Sequence, residues 1–168
     1  MKNYTLRRIV LLFLFIGVGK IVFAQTDTSL IYLRFPTVPP FSIIKAPDST
    51  KFTKDDLKKK TATIIMVFSP DCEHCQHETR ELIAHIDLFK KVQIIMSSPL
   101  EYHYLKKFYD EYKIADYQII TMGRDPGYFL GTFYHIRSFP AIFVYDKKGN
   151  FVEAFDGSVP VERIAAAL

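Results

Sequence analysis

Residues 61–68 (TATIIMVF) are an unbroken apolar, β-branched run, the pattern of a strand buried on both faces. The period then changes. Over residues 73–90, Leu82, Ile83, Ile86 and Phe89 recur three and four positions apart, as on one face of a helix. The alternation continues with a second buried strand expected at 92–96 and a helix at 101–112, with Leu105, Phe108 and Tyr112 on one stripe. A third strand is expected at 117–122, then a short helix at 125–134 interrupted by Pro126, Gly127 and Gly131, then a fourth apolar strand at 141–145. Asp146-Lys147-Lys148-Gly149-Asn150 reads as a turn into an alternating antiparallel partner at 151–155. Pro160 suits the first turn of a terminal helix. Strands alternating with helices imply parallel βαβ units, and the closing hairpin adds an antiparallel edge. The expected fold is α/β: a mixed central sheet with a C-terminal antiparallel hairpin and helices on both faces.

The chain before residue 61 is less regular. Pro36, Pro39 and Pro40 make residues 35–41 too proline-rich for a helix or a central strand, so they read as an extended segment laid on the body. Residues 42–45 suit a short edge strand, 46–49 a turn, and 54–60 one exposed helical turn. The run Lys58-Lys59-Lys60 reads as a solvated surface without a function.

The first 24 residues differ in kind. A cationic stretch with Lys2, Arg7 and Arg8 precedes an apolar run over 9–19, and Val22-Phe23-Ala24 supplies a cleavage site before Gln25. That is the layout of a secretory signal peptide. The run is far shorter than the ~20 residues that span a bilayer, which favours cleavage over retention as an anchor. The expected division is a signal peptide at 1–24 and one domain at 25–168, working outside the cytoplasm, in a periplasm or equivalent space.

Composition sharpens this picture. With 49% apolar residues the chain has the means to build a core, which excludes intrinsic disorder. The formal charge is +4, from 22 basic and 18 acidic residues, but four of the basic residues and none of the acidic ones lie in the first 24. The remainder is neutral, so no nucleic-acid partner and no phosphate-binding surface is expected.

The chemistry centres on two cysteines, Cys72 and Cys75, in Ser69-Pro70-Asp71-Cys72-Glu73-His74-Cys75, where a buried strand becomes a helix. Three uses compete. In redox chemistry, the helix N-terminus stabilises negative charge on the first sulfur, and the second thiol, one turn on, attacks the mixed disulfide that forms. Cys-x-x-Cys after a strand in a βαβ pattern points this way. A structural zinc site needs four ligands, and no second cysteine pair exists. His74 and His77 would leave a crowded Cys2His set. A purely structural disulfide would close so short a loop that it gains little.

These residues resemble the thioredoxin superfamily, through 61–82 and 134–150. The leader, the segment 41–57 and the Cys-x-x-Cys-x-x-Glu pattern resemble the TlpA/ResA-like extracytoplasmic thiol-disulfide oxidoreductases, particularly those of Bacteroidetes type. The resemblance spans about residues 35–165. It implies that Cys72 is the attacking thiol and Cys75 the resolving one, and that Phe139-Pro140 occupies the family's cis-proline position facing the active site. Glu78 matches the family's acidic residue and is expected either to shuttle the Cys75 proton or to be a surface carboxylate. The chain departs from the family in lacking tryptophan altogether, so Asp71 stands before the first cysteine, and Met66 stands where thioredoxin carries a buried acid.

The implied activity is dithiol/disulfide exchange through Cys-Glu-His-Cys. The implied substrate is a protein disulfide or dithiol, with a membrane electron donor, a monomeric state and no cofactor. The direction of electron flow stays open. Protonated His74 would favour the thiolate and oxidising power, whereas Asp71 and Glu73 oppose it. The resemblance tilts toward a reductase; oxidase or isomerase action, or a metal-handling module on the same fold, are the alternatives. A copper site using His135 and a peroxidase fit the spacing poorly. The aromatic cluster Tyr128, Phe129, Phe133, Tyr134 and Phe139 reads mostly as core packing.

Overall fold

The structure is a computed structural model and describes residues 30–46 and 48–168. The expected signal peptide at 1–24 lies outside the described residues. In chain order the elements are α1 (Ile31–Arg34), β1 (Ser42–Lys45), β2 (Lys51–Thr53), β3 (Ala62–Val67), α2 (Glu73–Ala84), β4 (Val92–Ser98), α3 (Tyr102–Glu111), β5 (Ile120–Arg124), α4 (Phe129–Tyr134), β6 (Ala141–Tyr145), β7 (Phe151–Asp156) and α5 (Val161–Ala166). Short 3-10 turns at Lys54–Asp56, Ile86–Phe89 and Ile114–Asp116 lie between them.

Seven strands form one sheet in the order β2-β1-β5-β4-β3-β6-β7. The centre is parallel, with Ile64 opposite Ile94 and Ile94 opposite Ile120. β6 runs antiparallel to β3, and β7 closes the hairpin. Every residue of β3 and β4 is buried, as their apolar centres, Ile64–Val67 and Ile94–Met96, require. Alternate side chains therefore feed two cores. Ile64, Met66, Ile94 and Met96 pack against α2, α3 and α5 on one face. Ile65, Val67 and Ile95 meet Phe41, Leu130 and Phe143 on the other. The expected mixed α/β sheet with helices on both faces is the architecture observed.

The differences are local. β1 is not an edge strand, because β2 pairs outside it, with Ile43 opposite Phe52. β2 is only three residues long and half exposed, too little for a periodic signal. The helix expected from residue 125 begins at Phe129. Asp125 is buried and its carboxylate accepts the Leu130 N–H at 2.8 Å, while Tyr128 takes a left-handed φ of 49° just before the helix. The helix expected over 73–90 stops at Ala84 and finishes as a 3-10 turn.

β1 also joins the sheet at a point of close approach. A Cβ on Gly123 would lie 2.7 Å from the Ile44 carbonyl oxygen, which is backbone and cannot swing away. Gly123→Ala is expected to prise β1 from β5 and cost roughly 1–3 kcal/mol. Urea denaturation checks this: the midpoint should fall, and hydrogen exchange should rise selectively at Ala46, whose N–H donates to the Met122 carbonyl.

Candidate active site

β3 ends at Val67, and the next residue fixes where the chain goes. Phe68 is fully buried, donates its N–H to the Ser97 carbonyl at 2.9 Å, and sets its ring, tilted by 51°, 5.0 Å from that of Phe108. From this anchor the chain turns into α2 through Ser69, Pro70 and Asp71. The Cys72 N–H donates to the Ser69 carbonyl at 3.1 Å, and the Gln76 side-chain amide donates to the Pro70 carbonyl at 2.9 Å. Cys72 is the residue that caps α2, in extended backbone conformation. Its sulfur therefore sits beside the unpaired amides of the first helical turn, where negative charge is favoured.

The two thiols are unbonded and differ in environment. Cys72 is half-buried, and its S–H donates to the Phe139 carbonyl at 3.6 Å. Cys75 has no exposed surface and belongs to the same apolar cluster as Met66 and Phe68. Burial pushes the Cys75 thiol far above its ordinary range, with Cys72 and Glu78 adding to the shift and the Ser69 backbone opposing it. The Phe139-Pro140 peptide is cis, and Phe139 packs against both cores. Glu73 and His74, between the cysteines, are exposed.

Glu78 is the site residue whose position the helical phase left undecided. It is fully buried, three residues beyond Cys75 and on the same side of α2. Its Oε2 accepts from the Ser158 hydroxyl at 2.7 Å and from the Val159 N–H at 2.9 Å. Its Oε1 is buried without a partner. Burial raises the carboxyl above its ordinary value, and the bonds from Ser158 and Val159 only partly offset this. A buried carboxyl with one oxygen doubly held and the other bare is chemically able to exchange a proton. Ser158 and Val159 were not legible as site residues: they follow β7 in a loop, about eighty positions from Glu78, with no motif around them.

Among the described residues no group of three or more His, Cys, Asp or Glu side chains is placed to hold a metal ion. His77 lines a separate 380 Å³ hollow with Glu81 and the loop at Ser158.

A family model for the thioredoxin-like domain matches residues 52–168. The chain belongs to the thioredoxin-like family. No curated protein matches the sequence. Among solved structures, a putative thiol:disulfide interchange protein DsbE from Chlorobium tepidum is 16% identical, with a TM-score of 0.65 over 78% of this chain and 94% of that one. A secreted Mycobacterium tuberculosis disulfide oxidoreductase homologous to E. coli DsbE is 14% identical, with a TM-score of 0.64 over 76% and 93%. StoA from Bacillus subtilis is 17% identical, with a TM-score of 0.57 over 79% and 98%. These likenesses are of fold, and together with the family match they bear out the expected thioredoxin superfamily.

Proposed function

We propose that this thioredoxin-like protein is an exported thiol-disulfide oxidoreductase of TlpA/ResA-like type that reduces protein disulfides with Cys72 and Cys75. The observation that carries the reading is the asymmetry of the pair: a half-exposed sulfur at a helix N-terminus, above a buried thiol with a buried carboxyl beside it. The Cys72 thiolate attacks one sulfur of the client disulfide. A Cys72–client disulfide forms and the other client sulfur leaves as a thiolate that takes up a proton. Cys75 gives its proton to Glu78 and attacks the Cys72 sulfur. The Cys72–Cys75 disulfide forms and the second client thiolate departs. The client gains two electrons, the protein loses two, and an external dithiol donor at the membrane restores the pair. The Phe139 carbonyl, facing Cys72, lies where a bound client peptide would run.

Export is supported by the sequence of residues 1–24 and by the secreted protein among the structural neighbours. Equilibration with glutathione redox buffers, followed by thiol alkylation and mass measurement, tests both activity and direction. A single two-electron transition near or below roughly −250 mV is expected, in the range of thioredoxin-type reductants. A midpoint near about −120 to −180 mV would instead make the protein an oxidase or isomerase, with His74 the dominant influence on the thiolate. Failure of Cys72 and Cys75 to pair at any buffer composition would sink the oxidoreductase reading.

A further inference from the structure

The end of the sheet opposite the cysteines is strongly basic. Cys72 follows the C-terminal end of β3, whereas Thr63 lies near its N-terminal end. At that far end a hollow of 510 Å³ opens beside β3 and β4. Lys54, Lys58, Lys59 and Lys60 line it from one side, and Lys147 and Lys148 from the other. Asp55 is the only acid in its wall. Among the described residues, none of Lys58, Lys59, Lys60, Lys147 and Lys148 makes an ion pair. The neutrality of residues 25–168 hid this, because the lysines come from two segments nearly ninety residues apart that only the fold brings together.

Polar side chains hold both lysine segments in place, Gln93 buried and Asp146 in the exposed turn. The Gln93 carboxamide accepts the Lys58 N–H at 2.8 Å and donates to the Lys58 carbonyl at 3.1 Å. The Asp146 carboxylate accepts the Lys148 and Asn150 N–H groups at 2.8 and 2.9 Å. The floor is polar as well. Thr63 is 2% exposed, lines the hollow, and accepts from Gln93 at 2.9 Å, yet no hydrogen bond among the described residues uses its own hydroxyl proton. Six lysines around a buried hydroxyl concentrate positive charge at one hollow, which an anion would neutralise. A single carboxylate carries too little charge to balance them. A phosphate group carries more, offers several acceptor oxygens, and suits lysine as a point-charge ligand.

We infer that the hollow between Lys58–Lys60 and Lys147–Lys148 is a binding site for a phosphate group, borne by a soluble phosphorylated molecule or by a lipid headgroup. Thr63 and Gln93 form its floor and the lysines its rim. The site is independent of the thiol chemistry at the other pole.

Inorganic pyrophosphate titrated into the ¹⁵N-labelled protein at constant ionic strength tests this. Saturable shifts are expected at the Thr63 amide, the Gln93 side-chain amide and the amides of Lys58–Lys60 and Lys148. Thr63→Val keeps the side-chain shape and removes the hydroxyl, both its proton and the oxygen that accepts from Gln93, and should weaken pyrophosphate binding about tenfold, the effect of one hydrogen bond to a charged partner. Lys58→Ala with Lys148→Ala should weaken it further while leaving disulfide exchange unchanged. Phosphatidylglycerol vesicles, with phosphatidylcholine vesicles as control, separate the two sources. Binding to the former that pyrophosphate displaces identifies a lipid headgroup; pyrophosphate binding without vesicle binding identifies a soluble ligand. Shifts spread evenly over all lysines, no saturation, or vesicle binding that pyrophosphate cannot displace would overturn the site.

Discussion

Cys72→Ser is expected to lower disulfide exchange by roughly three orders of magnitude or more, to the level of protein-free solution, because it removes the only sulfur a client can reach. Cys75→Ser should behave differently. It keeps the half-exposed nucleophile and removes the buried thiol beneath it, so the first attack proceeds and the mixed disulfide stalls. Incubated with a disulfide-linked reporter peptide, Cys75→Ser should gain the mass of one peptide thiol per chain, whereas the wild type should release both peptide thiols. Insulin reduction gives the activity and intact-mass spectrometry the trapped species. Equal insulin reduction by Cys72→Ser and wild type would overturn the assignment. Trapping by Cys72→Ser rather than Cys75→Ser would reverse the two roles and would contradict the burial of Cys75.

Where the sequence was legible, the reason is physical. β3 and β4 lie in the middle of the sheet and are covered on both faces, so their central residues, Ile64–Val67 and Ile94–Met96, had to be apolar and their pattern stood out. The cysteine pair was legible because its spacing places both thiols at one helix end. β2 was not, since a three-residue half-exposed strand leaves no period to detect. The late start of α4 was set by one buried carboxylate on Leu130 and one left-handed residue, Tyr128, neither visible as a pattern. Glu78 could be placed on a helix but not on a side of it, because the element covering that side arrives from the loop at Ser158 and Val159. The lysine-ringed hollow was missed for the same reason. Composition averages over the chain, whereas contacts between distant segments decide which charges meet.

Glu78→Gln should separate the two halves of the reaction. Glutamine keeps an oxygen to accept from Ser158 and Val159, so the loop stays docked, but it cannot take the Cys75 proton. Attack by Cys72 on a client should be unchanged, while release from the mixed disulfide should slow by about 10²-fold near neutral pH, a usual size for loss of a general base. The pH profile carries the sharper signature. In the wild type the resolving step should fall as pH drops through the raised Glu78 value, because the protonated carboxyl accepts nothing. In Glu78→Gln that inflection should vanish, leaving a rate that climbs with pH as Cys75 itself ionises. Stability should move the opposite way. The folded carboxyl titrates above its ordinary value of 4.5, so the folded state holds the proton more tightly than the unfolded chain does. Stability is therefore fully present below 4.5 and is lost as pH rises through the folded value. Glu78→Gln escapes that loss, and its Tm should match the wild type at low pH and exceed it at pH 8. A resolving rate and pH profile identical to wild type would remove Glu78 from proton transfer. A Tm difference independent of pH would mean that its burial is structural only.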